Sequence, residues 1–408
     1  MFNKQIVLEQ AKDYDSFYLY DENTILEYTH RLKASFPGIE FLYSLKTNPH
    51  PNILSSIFAQ DFGADAASLG EVLLSVQHHV PADKILYSTP GKSLKDIKAA
   101  LGICTIIADS VDEIERIQAI AQQQGVVAEI GIRINPNFSF DGGSQGVAAK
   151  FGIDEPQVYE HLAYWQTLPN IKIVGLHAHL RSQELNTATL ENYYINIFAL
   201  AVAFQKTLGQ PLKFLNLGSG IGIPYELTDK QVDLAALSAT ADKLQTKFAT
   251  ELLGCRIFIE TGRYAVGKSG VYVTKVLDRK QSYGKTFIIL SNTLNGFIRP
   301  SMSQFVQLYT QSDCPPSGEP LFTSKNAFEF IPLTQSSEQE TVTLAGNLCT
   351  AIDVIAKDIT MPKLQCNDLL VITNAGSYAA VISPMQFSSQ TPPAQLFLTR
   401  DGRVINPG

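Results

Sequence analysis

Lys46 closes the run FLYSLKTNP (41–49), in which Phe41, Leu42, Tyr43 and Leu45 suit strand packing. An ammonium buried there without a partner is costly, so it calls for a nearby charge or a covalent use. Asp65 in GADAAS falls at a comparable strand end. In HAHLRSQ, His177 and His179 alternate and so share one face of a strand. Isolated strand histidines are more often satisfied core residues than functional ones, and neither has companions at metal-binding spacing, so no metal is expected. NLGSGIG (216–222) follows another apolar run, and its glycines let backbone N–H groups approach an anion, although turn chemistry explains such glycines equally well. ETGR pairs Glu260 with Arg263, which alone reads as a rim salt bridge. Cys349 in GNLCTAID lies between polar turns rather than in an apolar strand, and Tyr378 in NAGSYAA occupies a similar loop. A free cysteine is by default a small buried hydrophobe.

Together these parts meet the needs of pyridoxal phosphate. The lysine supplies a Schiff base, the glycines and arginine hold a phosphate, and the carboxylate keeps the pyridine nitrogen protonated. An imidazole lying flat on the ring would suit His179. The dinucleotide spacing G-x-G-x-x-G and a Walker lysine are both absent, which leaves a smaller phosphate-bearing ligand.

Those residues need elements to bring them together. Eight candidate strands, IEFLYSLK, GADAAS, KILYSTPG, TIIADS, EIGIRINP, KIVGLHAHL, KFLNLGSG and RIFIETGR, alternate with helix-like segments such as SVDEIERIQAIAQQQG. The pattern points to an α/β fold, a (β/α)₈ barrel, with a doubly wound sheet as the alternative. One pocket gathers Lys46, Asp65, the histidines, Gly218, Glu260 and Arg263 only if the sheet closes. After Arg263 the texture becomes period-2 alternation, the mark of a C-terminal β-domain. The expected division is a barrel over 22–266 and a β-sheet domain from 1–21 plus 267–408, with a long loop from about Pro300 to Glu340.

Composition is permissive but excludes some classes. The 408 residues, 45 % hydrophobic, suffice for two cores, and a net charge of −7 without a basic run argues against nucleic acid. No stretch is apolar enough to span a membrane, and no signal-peptide core is visible, so a cytoplasmic location is expected. Five scattered cysteines suggest a reducing compartment.

The chain resembles the fold-type III pyridoxal-phosphate decarboxylases, the ornithine, arginine and diaminopimelate decarboxylase family. YSLKTNP, GADAASLGE, YSTPGK, RINP, HLRSQ, NLGSGIGIPY, ETGRYAV, GNLCTAIDV and NAGSY occur in the family's order over nearly the whole length. The resemblance implies a barrel plus β-domain of the alanine racemase and ornithine decarboxylase kind. By the same resemblance, Lys46 carries the cofactor, His179 stacks on its ring, Glu260 meets the pyridine nitrogen and Asp65 lies nearby. Ser182, Gly218, Ser219, Gly220, Gly222, Arg263 and Tyr378 match phosphate contacts. Cys349 matches the catalytic acid, delivered across a head-to-tail homodimer. Glu260 favours decarboxylation over racemisation, because racemases of this fold place an arginine at the ring nitrogen.

Several positions depart from the family. Arg181 stands where H-x-G-S is common, Arg299–Pro300 keeps a carboxylate-binding R-P but Ser303 replaces its tyrosine, and Thr350 follows Cys349 in place of an acid. The added positive charge suits a substrate rich in carboxylates. G-x-L-C-T-x-x-D resembles two branches, one acting on amino acids joined to citrate in siderophore biosynthesis and one acting on amino acids held by an acyl-carrier protein. The siderophore branch is the expectation, with Arg181, Arg299, Thr350 and Asp353 as substrate contacts. Diaminopimelate or ornithine decarboxylation, and a catalytically dead cofactor-binding homologue, are the alternatives.

Overall fold

A computed structural model describes residues 2–218, 220–226, 228–309, 323–324 and 326–407, with the side chains of 306–309 left out. The parallel sheet runs Thr105–Ala108, Ile85–Tyr87, Gly63–Ala66, Ile39–Ser44, Arg256–Thr261, Phe214–Asn216, Ile171–His177 and Ala128–Asn135, and its first and last members also pair. Ile106 faces Ile130 at that closure, so the sheet is a barrel and not an open doubly wound sheet. A short strand, Ile153–Asp154, adds to the outside of Ala128–Asn135.

Local chemistry accounts for the surrounding helices. Val111–Gln124 begins where the Ser110 side chain accepts the Glu113 N–H, buries Ile114, Ile117 and Ile120 along one stripe, and stops at Gly125 in the left-handed region. Leu42, Leu86, Ile107, Val174, Phe214 and Phe258 form a separate cluster of barrel-strand residues. Phe214 needs room that only glycine leaves, since a Cβ at Gly175 would lie 2.1 Å from its ring and one at Gly131 2.8 Å. Emptying that position to alanine would cost about 3–5 kcal/mol.

Register places the chemistry in rows at the C-terminal ends of the strands. Arg133 pairs with His177 and His177 with Asn216, while Ser44 pairs with Asp65. Because alternate residues of each strand face one side, polar groups in these rows converge on the same mouth.

The second sheet is ordered Val354–Pro362, Gln339–Gly346, Lys285–Leu290, Gly270–Ser282, Ser16–Asp21, Ala394–Leu398 and Val404–Ile405. Ser16–Asp21 runs antiparallel to Gly270–Ser282 and parallel to Ala394–Leu398. Its alternation is buried on both faces: Tyr18 and Tyr20 join the main core, whereas Phe17 and Leu19 pack with Val273, Val371 and Leu396. The stretch expected to be a long loop from Pro300 opens instead as a helix, Ile298–Tyr309. Pro300 sits in its first turn, where the missing N–H costs nothing. Residues 310–322 and 325 of that stretch lie outside the described residues. Among the described residues, no helix is long and apolar enough to cross a membrane.

Candidate active site

The first barrel strand ends at Ser44, and the chain tightens into a 3₁₀ turn, Leu45–Thr47, that carries Lys46 past the strand. Lys46 Nζ lies 3.2 Å from Asp65 Oδ2. Asp65 is fully buried and also accepts the Ser44 hydroxyl at 2.8 Å and the Ser88 hydroxyl at 2.6 Å. The Lys46 side chain is 43 % accessible, and it lines a cavity of about 610 Å³. Burial works against charge on Lys46, but Asp65, Tyr378 and Glu260 outweigh it and hold the ammonium above the ordinary lysine range.

Across the cavity, Glu260 is buried in the last strand. Its Oε1 lies 3.0 Å from His177 Nε2 and accepts the Asn216 amide at 2.9 Å, and its Oε2 is 3.6 Å from His179 Nδ1. Burial pushes this carboxyl up, but His177, His179 and Lys46 prevail and keep it well below the usual carboxylate range. His179 behaves oppositely: burial, with Arg133, Lys46 and His177 nearby, overrides Glu260 and brings it down to about 3, so its imidazole is neutral.

Arg263 follows Gly262, where a Cβ would lie 2.1 Å from Thr47 Oγ1. The chain therefore passes directly against the Lys46 turn. Arg263 donates to the Tyr225 hydroxyl at 2.5 Å and lies 4.8 Å over the Tyr378 ring. Tyr378 has a positive φ of 46°, and its N–H donates to Thr47 O at 3.0 Å, while Asn48 donates to Gly376 O at 2.9 Å. The β-domain loop is thereby tied to the Lys46 turn. Ser182, Arg263 and Tyr378 line the same cavity as Lys46, His179 and Glu260.

The glycine loop serves close packing as well. Gly218 has φ +70°, and a Cβ there would come within 2.3 Å of Ala178 O. Its N–H is taken by Asn216 Oδ1, and that of Gly222 by Glu184 O. Gly220 O accepts the Glu184 N–H at 2.8 Å, and Ile221 is the loop residue that lines the cavity. Ser219 lies outside the described residues.

The residues expected on substrate are placed differently. Arg181 holds Asp141 with two contacts of 2.6 Å, approaches Glu184 at 3.3 Å and lies over Phe140, so its charge is already matched at the barrel rim. Arg299 is completely buried, donates to Asn374 O at 3.0 Å and Ser377 O at 2.7 Å, and does not line the cavity. Asp353 is buried too: it accepts the Thr293 hydroxyl and the N–H groups of Leu294 and Leu348, both at 3.0 Å, and so shapes the cysteine loop from within. Thr350 is half-buried in that loop, with its hydroxyl 3.5 Å from Ile352 N. Cys349 is exposed, 3.8 Å from the Ser388 hydroxyl, and lies outside the lining of its own chain's cavity. Arg299 and Asp353 are thus engaged within the chain, whereas Arg181 and its partner Asp141 line a second, adjoining cavity.

Arg133 was not among the expected site residues. It lines the cavity, sits 3.6 Å from Asp109 and lies over Phe151. Its signal was the same as that of Lys46, a cation inside an apolar strand, EIGIRINP. A second cavity of about 360 Å³ shares Arg133, Phe151 and His179 with the first. Phe138, Phe140 and Val147 supply apolar lining there, and Asn135, Asp141, Lys150 and Arg181 supply polar lining.

An amine beside a carboxylate, a second, buried acid and an arginine–tyrosine pair lining one cavity fit pyridoxal phosphate, whose aldehyde, ring nitrogen and phosphate need those three kinds of group. Fold and site define a pyridoxal-phosphate-dependent carboxy-lyase. The chain belongs to the pyridoxal-dependent decarboxylases, whose pyridoxal binding domain matches residues 22–267. An L-glutamyl-[BtrI acyl-carrier protein] decarboxylase of Niallia circulans is 32 % identical over 95 % of this chain and 89 % of its own. A 2-[(L-alanin-3-ylcarbamoyl)methyl]-2-hydroxybutanedioate decarboxylase of Staphylococcus aureus is 28 % identical, covering 97 % and 98 % respectively. The crystal structure of Helicobacter pylori diaminopimelate decarboxylase complexed with L-lysine superposes with a TM-score of 0.82 at 27 % identity, over 99 % of this chain and 96 % of that one.

Proposed function

We propose that this decarboxylase removes the α-carboxylate of an L-amino acid joined through its side chain to a larger group. The observation that carries this reading is the second cavity, which adjoins the first at His179 and Arg133 and adds about 360 Å³ to one of about 610 Å³. Its lining is mixed, with Phe138, Phe140 and Val147 beside Asn135, Lys150 and an Arg181 already paired with Asp141, and it suits an amide-bearing tether such as the acyl chain on a carrier protein. A citrate-linked amino acid of siderophore biosynthesis is the second reading, supported by the Staphylococcus aureus relative.

When bound, pyridoxal phosphate supplies the electron-withdrawing ring that accepts the electron pair left behind by CO₂. Lys46 is the covalent attachment point, with Asp65 fixing its amine. Glu260, kept ionised by its neighbours, holds the proton on the ring nitrogen. The neutral imidazole of His179 can lie against a cationic ring without repulsion. Arg263, Ser182 and Tyr378, which line the cavity together, would hold the phosphate. Cys349 donates a proton to the carbon that lost CO₂ and regains one from solvent, to which it is exposed. The position of Cys349 outside the lining of its own chain's cavity supports a site shared in a head-to-tail homodimer, each subunit lending its cysteine to the other.

A CO₂-release screen tests the substrate class with free lysine, ornithine, diaminopimelate and 2,3-diaminopropionate, citryl conjugates, and glutamate loaded on a carrier protein. Turnover of a conjugate at least tenfold above every free amino acid is expected. Efficient turnover of free diaminopimelate alone would refute the reading.

A further inference from the structure

Behind the cavity wall, four side chains form one continuous stack. Arg299 lies 5.1 Å over the Tyr225 ring, Arg263 lies 5.7 Å over the same ring, and Arg263 also lies 4.8 Å over Tyr378. Tyr225 is buried, and its hydroxyl oxygen accepts a hydrogen bond from Arg263 Nη1 at 2.5 Å. On its other side Arg299 grips the carbonyls of Asn374 and Ser377, so it also anchors the loop that presents Tyr378. Phe328 closes the far face of Arg299 at 5.1 Å. Two guanidiniums around one phenol repel each other in a low-dielectric setting, and an anion on the cavity side of Arg263 relieves that repulsion. The tyrosine registers the two cations: burial pushes it up, yet Arg263 and Arg299 bring it down to about 8.

We propose that Arg299 and Tyr225 are positioning residues for the cofactor phosphate, holding Arg263 and the Asn374–Tyr378 loop in place from behind. Tyr225 fixes the fork of Arg263 by a charge-assisted hydrogen bond, and Arg299 fixes the loop by two more. This assignment rests on the pyridoxal-phosphate reading of the site but concerns only its phosphate end.

The test compares pyridoxal phosphate with pyridoxal, which has the same aldehyde and ring but no phosphate. Apoprotein is titrated with each, and bound ligand is followed by visible absorbance. In Tyr225→Phe the affinity for pyridoxal phosphate should fall about tenfold while that for pyridoxal stays within about twofold of wild type. Arg299→Met should do the same, and if that buried change lowers the melting temperature sharply, Tyr225→Phe decides alone. Equal weakening toward both ligands would show a merely structural role, and unchanged affinities would show none, so either overturns the proposal. Wild-type apoprotein that binds neither ligand would overturn the pyridoxal-phosphate reading itself, an outcome distinct from both.

Discussion

Replacing Glu260 by glutamine removes one charge from an enclosed polar layer while keeping its shape. The amide can retain the contact with Asn216, now 2.9 Å, and stays beside His177 at 3.0 Å. His179 is neutral and is not stranded, but the attraction of the carboxylate to Lys46 and His177 is lost, so the melting temperature should fall at neutral pH. The chemical cost is separate. A hydrogen bond to a charged group contributes roughly 1.5–3 kcal/mol and a neutral one roughly 0.5–1.5, so the ring nitrogen loses on the order of 1–2 kcal/mol of proton stabilisation. If that difference is realised as the electron pair enters the ring, kcat falls about 5- to 30-fold. Single-turnover CO₂ release at full cofactor occupancy isolates this step, with occupancy checked by visible absorbance. Glu260 is held below the usual carboxylate range, so its own protonation should not limit wild-type activity between about pH 5 and 7. A Glu260→Gln enzyme that is fully loaded and within about twofold of wild type would refute the assignment of Glu260 to the ring nitrogen.

Other outcomes follow from the same geometry. His179 falls from 6.5 to about 3 on folding, so the unfolded chain binds more protons between those values. Stability from this residue is complete above about pH 6.5 and declines as pH drops, by at most about 1.4 kcal/mol per unit, and thermal melting of His179→Phe should be flatter across that window. Parallel curves for mutant and wild type would assign the slope elsewhere. Arg181→Gly breaks the contacts to Asp141 and Glu184 and should cost about 1 kcal/mol by denaturant melting, with kcat/KM for the conjugate reduced less than about threefold. A drop beyond about tenfold would place Arg181 on the substrate after all. Mixing Lys46→Ala and Cys349→Ala subunits should restore about a quarter of wild-type activity, since half of the dimers are mixed and each has one intact site. No recovery after subunit exchange would argue against a shared site.

Much of the architecture was legible because each barrel strand is a short apolar run bounded by polar turns. All eight anticipated strands are present, although the first ends at Ser44, before Lys46, because the chain needs a 3₁₀ turn to aim that side chain into the mouth. The helix at Ile298–Tyr309 was missed, since a proline near its start reads as a breaker unless its place in the first turn is known. Arg133 was passed over although it carries the same signal as Lys46, an ionic group in a buried strand.

Residue identity by itself determined the cofactor chemistry: an amine, a buried acid, an arginine and a tyrosine at strand ends and loops can serve few ligands other than pyridoxal phosphate. What the arginines do was decided only by tertiary structure. Arg181 and Arg299 look alike as departures in a sequence, yet one meets Asp141 across 40 residues and the other meets the carbonyls of Asn374 and Ser377 across 75 and 78. A guanidinium's role is set by which acceptors lie within hydrogen-bond reach. Those acceptors arrive only when the barrel closes and the β-domain loop docks on it.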